Sequence, residues 1–298
     1  VSDEKKGDQD ASAGFVPSPE LYPFTSRWLD TSHGRLHYVD EGAGQPLLLL
    51  HGNPTWSFLY RKLILALKDR FRCLAIDYLG FGLSERPSGF AYTPAEHAAV
   101  VGEVIRQLDL RDLIVMGHDW GGPTGLSAAA DNADRVSGLI LGNTAFWPPD
   151  RKARLVGRVM STGFLQRRIL QENFFVERFL FSNVVGTLHE AEKEHYRGVQ
   201  ATTGLRVAVA QAPRQIVAAA PWLAELEGRV QRSLADRRVL VTYPMADRAF
   251  PAKTTLPRFR ATFDDIQVVE LPGAKHFFLE GQSPRVVEAI RARFTSRA

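Results

Sequence analysis

Leu113-Ile114-Val115-Met116-Gly117-His118-Asp119-Trp120-Gly121-Gly122 carries an apolar strand signal straight into an acidic residue flanked by glycines. Small residues around a central position let the chain turn sharply from strand to helix, which pushes the central side chain out at the top of a sheet. Serine usually stands at that centre; here it is a carboxylate. A carboxylate nucleophile attacks an electrophilic carbon to give an ester that water then cleaves, which suits displacement at saturated carbon. The rest of the chain must then supply a base, an oxyanion site and a way to hold the leaving group.

Outward from this turn, apolar runs alternate with helical patterns. Strands are expected at Arg35 to Asp40, Pro46 to His51, Phe71 to Asp77, Asp112 to Gly117 and Val136 to Gly142. Helices are expected at Ser57 to Leu67, Pro94 to Leu108 and Trp120 through Asn132. The leucine run ending at Leu50 is what a strand buried on both faces requires. Such alternation predicts a doubly wound, mostly parallel α/β sheet. After Asn143 the rhythm breaks into helical periodicity without a clear strand, then resumes at Arg238 to Tyr243, Ile266 to Leu271 and a helix from Pro284 to Phe294. The expected organisation is a tail over 1–14, a core domain over 15–143 and 233–298, and an inserted helical cap over 144–232.

With 298 residues, 45% of them hydrophobic, the chain can bury a large core. Its net charge of +4 comes from 37 basic and 33 acidic residues, a small imbalance with no basic tract interleaved with aromatics, so nucleic acid is not an expected partner. The densest basic run, Arg151, Lys152, Arg154 and Arg158 followed by Arg167 and Arg168, reads as the solvated face of an amphipathic helix. Cys73 is the single cysteine, which excludes an internal disulfide and fits a reducing, cytoplasmic setting. No apolar run approaches the ~20 residues of a membrane span, and no membrane partner is expected. The charged first residues read as a disordered tail and not as a signal peptide.

In a parallel α/β sheet, ligand-binding loops gather at the carboxyl ends of the strands. His51-Gly52-Asn53-Pro54, Asp119, Asp247 and His276 each follow a strand. Asp119 is the candidate nucleophile, His276 the base that activates water, and Asp247 the acid that orients its ring. The backbone N–H groups of Asn53 and Trp120 are candidate oxyanion donors, each typically worth about 3 to 4 kcal/mol of barrier. His51, His97 and His118 read as structural. Asp77-Tyr78-Leu79-Gly80-Phe81-Gly82 begins like a dinucleotide turn, but Glu85 takes the third glycine position, so a tight loop is expected and no cofactor.

Taken together, His51-Gly52-Asn53-Pro54-Thr55-Trp56-Ser57, Asp77-x-x-Gly80-x-Gly82-x-Ser84, the Asp119 turn, Met245-Ala246-Asp247 and His276-Phe277 resemble the haloalkane dehalogenases of the α/β-hydrolase superfamily. The match runs from Trp28 to Arg291. Asn173-Phe174-Phe175-Val176-Glu177 and Ala212-Pro213-Arg214 resemble that family's cap. The resemblance implies hydrolysis of a small halogenated aliphatic substrate with water, a halide held by the side chains of Asn53 and Trp120, and no metal or cofactor. Candidate pocket residues are Phe146, Trp147, Phe164, Phe175, Pro213 and Phe277; Trp56 reads as packing. Asn143 matches a position where one branch carries a glutamate, which leaves Asp247 as the acid. That combination is similar to the third subfamily and implies a homo-oligomer. Pro244 departs from the family's usual glycine, which leaves open whether the Asp247 loop shifts. Two other readings remain open at this point: an epoxide hydrolase of the same fold, although Tyr196 is the single tyrosine between Asn143 and Arg232, and a ligand receptor on a disabled hydrolase fold.

Overall fold

A computed structural model describes residues 14–295. The expected tail over 1–14 therefore lies outside the described residues except for Gly14. The sheet is built from β1 (Arg27–Thr31), β2 (Gly34–Glu41), β3 (Gln45–Leu50), β4 (Phe71–Ile76), β5 (Leu113–His118), β6 (Val136–Gly142), β7 (Arg238–Pro244) and β8 (Asp265–Leu271). Their spatial order is β1-β2-β4-β3-β5-β6-β7-β8; β2 runs antiparallel to β1 and β4, and every pairing from β4 to β8 is parallel. This is the doubly wound, mostly parallel sheet that the alternation predicts, in the α/β-hydrolase order that the resemblance implies.

Side chains of a strand alternate between faces, so a strand buried on both sides must feed two cores. In β3, Leu48 and Leu50 join one apolar cluster, while Leu47 and Leu49 join the other. Ile114 and Met116 of β5 likewise face away from Leu113 and Val115. Helices α1 (Arg61–Leu67) and α10 (Leu279–Phe294) cover one face; α2 (Pro94–Gln107) and α3 (Gly121–Asp131) cover the other. Helix α2 starts at Thr93, whose hydroxyl accepts from the Glu96 N–H while Glu96 reaches back to the Thr93 N–H, a capping box completed by Pro94 in the first turn.

Between β6 and β7 the described chain is helical. It holds α4 (Arg151–Met160), α5 (Gly163–Glu172), a π-helical turn (Phe175–Leu180), α6 (Glu190–Gly198), α7 (Val207–Ala218) and α8 (Ala220–Ser233). Helix α8, expected with the cap, packs on α3. Its Arg229 donates to the Ser127 carbonyl and pairs with Asp131 of α3, and Leu223, Leu226 and Val230 enter the α2/α3 core. Helix α6 is tied to α1 and α10 through charge. Buried Arg61 donates to Glu280 at 2.6 and 2.7 Å and to Glu192 of α6 at 2.5 Å, and the Tyr196 hydroxyl donates to Glu280.

Two elements escape the sequence reading. β1 is a mostly exposed edge strand without an apolar run, and α9 (Ala252–Thr262) contains Pro257. Helix α10 begins at Leu279, five residues before the Pro284 taken as its start; Pro284 lies inside the helix and cannot donate to the Glu280 carbonyl, which accepts from Lys62 Nζ at 2.9 Å instead.

Candidate active site

Asp119 directly follows β5 and lies in the left-handed region at φ 52°, a conformation that costs an L-residue and has to be imposed by its surroundings. The glycines permit it by close approach. A Cβ on Gly121 would run into the Leu50 carbonyl, one on Gly122 into the Thr144 side chain, and one on Gly52 into Asp119 itself. The turn is fastened by the Asp119 N–H donating to the Asn143 carbonyl at 3.1 Å and by the Thr144 hydroxyl donating to the Asp119 carbonyl at 2.7 Å.

The carboxylate meets a ring of donors. The Asn53 N–H donates to its Oδ1 at 2.9 Å, and His276 Nε2 lies 3.6 Å from its Oδ2. Burial pushes the Asp119 carboxyl up, yet His276 and the Trp120 N–H outweigh it, so its pKa falls below the usual carboxylate value. On the other side of the ring, His276 Nδ1 donates to Asp247 Oδ2 at 2.9 Å, and Asp247 Oδ1 accepts from the Ala249 N–H at 2.8 Å. Both side chains of this pair are 2% exposed. Burial lowers the His276 pKa, but the two carboxylates reverse the effect and raise it to about 9. His276 Nε2 has no hydrogen-bond partner among the described residues. Pro244 closes β7 without displacing the acid, since Asp247 still reaches the imidazole.

The sequence reading missed what holds the His276 backbone. His118 Nε2 donates to the His276 carbonyl at 2.9 Å, and Asn143 Nδ2 donates to the same oxygen at 2.7 Å. Burial lowers the His118 pKa to about 4, so its ring is neutral near pH 7. The available signal was positional: one residue lies beside the nucleophile and the other at the end of the next strand.

Two side-chain donors stand ready beside Asp119. Among the described residues the Trp120 indole N–H makes no hydrogen bond, and the Asn53 side-chain amide also has no partner, its Oδ1 being buried. They share a cavity with Tyr78 and Phe81 of the loop after β4 and with Ala208 and Ala212 of α7. None of the six residues expected to line a pocket borders that cavity. Phe146 is fully buried among Trp147, Phe259 and Phe263; Phe175 packs on Phe179; Pro213 is buried beside Ala212. Phe277 is fully buried with its ring 4.8 Å from that of His276. Phe164 opens α5 and is 72% exposed, which removes it from any interior site. Conversely, His51 and His97, read as structural, do line the cavity. Burial holds both neutral, lowering His51 and taking His97 to about 3.

Asp77 is used structurally, accepting from the Ser57 and Leu83 N–H groups at 2.7 and 2.9 Å, and a Cβ on Gly82 would strike it. This is the tight loop that the missing third glycine predicts. Tyr196, the lone cap tyrosine, spends its hydroxyl on Glu280. Among the described residues no group of three or more His, Cys, Asp or Glu is placed to hold a metal ion.

A family model described as the alpha/beta hydrolase fold matches residues 45–282. Haloalkane dehalogenase 2 of Mycobacterium tuberculosis is 53% identical over 284 residues, covering 95% of this chain and 99% of the relative. A cis-3-alkyl-4-alkyloxetan-2-one decarboxylase of Shewanella oneidensis is 29% identical over 91% of this chain and 88% of its own length. Among solved structures, the haloalkane dehalogenase DatA from Agrobacterium tumefaciens C58 superposes with a TM-score of 0.83 at 22% identity, covering 94% of this chain and 99% of that one. It shares the fold described above.

Proposed function

Since this chain belongs to the haloalkane dehalogenase family, we propose that Asp119, His276 and Asp247 carry its reaction, with Asn53 and Trp120 receiving the halide. The activity is hydrolysis of a carbon–halogen bond to an alcohol, a halide and a proton. One Asp119 oxygen attacks the halogen-bearing carbon as the carbon–halogen bond breaks, giving an alkyl ester and halide. Negative charge grows on the departing halogen, so the Asn53 amide and Trp120 indole N–H groups stabilise the transition state more than the neutral substrate. A neutral donor pair also lets the free halide leave, where a cation would retain it.

His276 Nε2 then takes a proton from water, whose oxygen attacks the ester carbonyl. The backbone N–H groups of Asn53 and Trp120 stabilise the resulting oxyanion. Collapse expels the alcohol with the proton of the added hydroxyl and returns the Asp119 carboxylate; His276 keeps the proton taken from water, the proton released to solvent being the one its ring carried before the ester formed. The observation that carries this reading is the alignment of Asp119, His276 and Asp247 with the Asn53 N–H on the nucleophile.

The cap is assigned to residues 144–219, because α8 serves the core layer. A cytoplasmic location and a homo-oligomer complete the proposal, the second on the family resemblance alone. The deciding experiment incubates the purified chain separately with 1,2-dibromoethane, styrene oxide and a dialkyl β-lactone, measuring bromide, diol and carbon dioxide. Bromide as the dominant product is expected. Diol in its place supports the epoxide hydrolase reading, carbon dioxide supports a decarboxylase like the Shewanella relative, and no product supports the receptor.

A further inference from the structure

Helix α4 turns an apolar face to solvent. Of the nine large hydrophobic side chains exposed among the described residues, four fall within ten positions: Leu155, Val156, Val159 and Phe164. Only Gly157 of α4 is buried, set against Ile216 and Val217 of α7 so closely that a Cβ there would touch both. At about 100° per residue, Leu155, Val159, Lys152 and Val156 share one arc of roughly 100°, and Arg151, Arg154 and Arg158 share a neighbouring one. The helix thus has a contact edge, an apolar stripe and a basic stripe, with apolar residues where water should be.

Charge decides the occupant. Residues 150–172 hold six basic side chains and two acidic ones, and Arg151, Lys152, Arg158 and Arg167 make no ion pair with any described residue. Apposing this face with its copy would bring two cationic stripes together. An anionic lipid surface, by contrast, complements the arginines and accepts the apolar stripe, which is how basic amphipathic helices lie in a membrane interface. Phe164, 72% exposed, stands beyond the end of α4 where an aromatic ring fits at headgroup depth.

We propose that α4 and the start of α5 form a peripheral docking face for an anionic phospholipid surface. No helix among the described residues is long and apolar enough to cross a membrane, and peripheral contact needs none. This revises both the sequence expectation of a solvated basic face and that of no membrane partner. The placement has a chemical sense. α4 packs on α7, whose Ala208 and Ala212 line the cavity beside Asn53 and Trp120, and apolar haloalkanes concentrate in lipid.

The test is flotation of the full chain with vesicles of phosphatidylcholine alone or mixed with phosphatidylglycerol. Two variants accompany it: Leu155→Ser/Val156→Ser/Val159→Ser and Arg151→Glu/Arg158→Glu. The expected result is flotation with the mixed vesicles only, lost at high salt, and about tenfold or more weaker in either variant, each surface cation contributing several-fold to the partition. Thermal melts and bromide release from soluble 2-bromoethanol should match the parent, because these side chains touch neither the core nor the site. Absence of binding to the mixed vesicles overturns the proposal, as does equal binding by both variants. A parental oligomer abolished by the serine variant, without lipid binding, overturns it in favour of a second copy. Bromide release by a chain that never binds vesicles keeps this failure separate from failure of the activity.

Discussion

Asp247→Asn isolates the contribution of a single charge to the hydrolytic step. Asp247 Oδ2 lies 2.9 Å from His276 Nδ1, and both side chains are nearly excluded from water. When Nε2 takes its proton, a positive charge appears against that carboxylate; at 2.9 Å and an effective dielectric of about 20 the attraction is about 6 kcal/mol. That energy sets a ceiling of about four powers of ten in rate. Geometry adds a second penalty. The Ala249 N–H donates to Oδ1 at 2.8 Å, so an asparagine keeps its oxygen there and turns its NH2 toward the imidazole. The ring must then accept at Nδ1 and carry its hydrogen on Nε2, where it can no longer take a proton from water. Ester hydrolysis should slow about a thousandfold to ten-thousandfold. The displacement step, which needs only the Asp119 carboxylate, should survive. Rapid-quench measurement should show a burst approaching one bromide per chain followed by a nearly flat phase. Turnover within tenfold of the parent in a folded variant, or absence of the burst, would refute the assignment of Asp247.

His276→Phe should accumulate one alkyl adduct on the peptide carrying Asp119, read by mass spectrometry; an unmodified peptide after long incubation contradicts the covalent route. Trp120→Phe keeps most of the ring packing but deletes the indole N–H, so displacement should slow about a hundredfold and quenching of tryptophan fluorescence by bromide should weaken. Unchanged rates in both Trp120→Phe and Asn53→Ala would move the halide site elsewhere. Asn143→Ala removes one of two donors to the His276 carbonyl and should cost about 1 kcal/mol of stability, measured by urea unfolding, with turnover reduced far less than in Asp247→Asn. The His276 ring, followed by NMR in the free protein, should titrate near pH 9, whereas the pH limb of ester hydrolysis should fall well below that value.

The meeting of Asp119, His276 and Asp247 was legible because each part left a local mark: glycines packed around Asp119, and single polar residues just past apolar runs at Asp247 and His276. Strand ends in a parallel sheet converge, so order along the chain became proximity in space. What stayed hidden depends on contacts between residues far apart in sequence. Asn143 and His118 meet the carbonyl of a residue more than 130 positions away. The Arg61 cluster joins α1, α6 and α10, none of which advertises a buried charge. The cavity lining was missed for a different reason. Aromatic content points to burial, but Phe146 and Phe277 fill core while the small Ala208 and Ala212 leave space. α8 has the periodicity of its neighbours, and its packing on the α2/α3 core through Arg229, Leu223, Leu226 and Val230 appears only in space.

In the proposed mechanism, Asp119, His276 and Asp247 also order the two half-reactions through charge. In the free protein, His276 faces two carboxylates and binds a proton up to about pH 9. An imidazolium is no base, but with the neighbouring N–H groups it helps keep Asp119 ionised despite burial, and the displacement step needs that charge and no base. Alkylation turns that carboxylate into a neutral ester. The ring then loses one of the two anions that raised its pKa, while burial still lowers it. The proton leaves, and Nε2 becomes competent to take one from water only after the ester exists. Asp247 must remain charged through both states to stabilise the imidazolium that returns during hydrolysis. A carboxylate nucleophile thus disarms its base before attack and arms it by being consumed, a sequence a neutral serine at position 119 would not enforce.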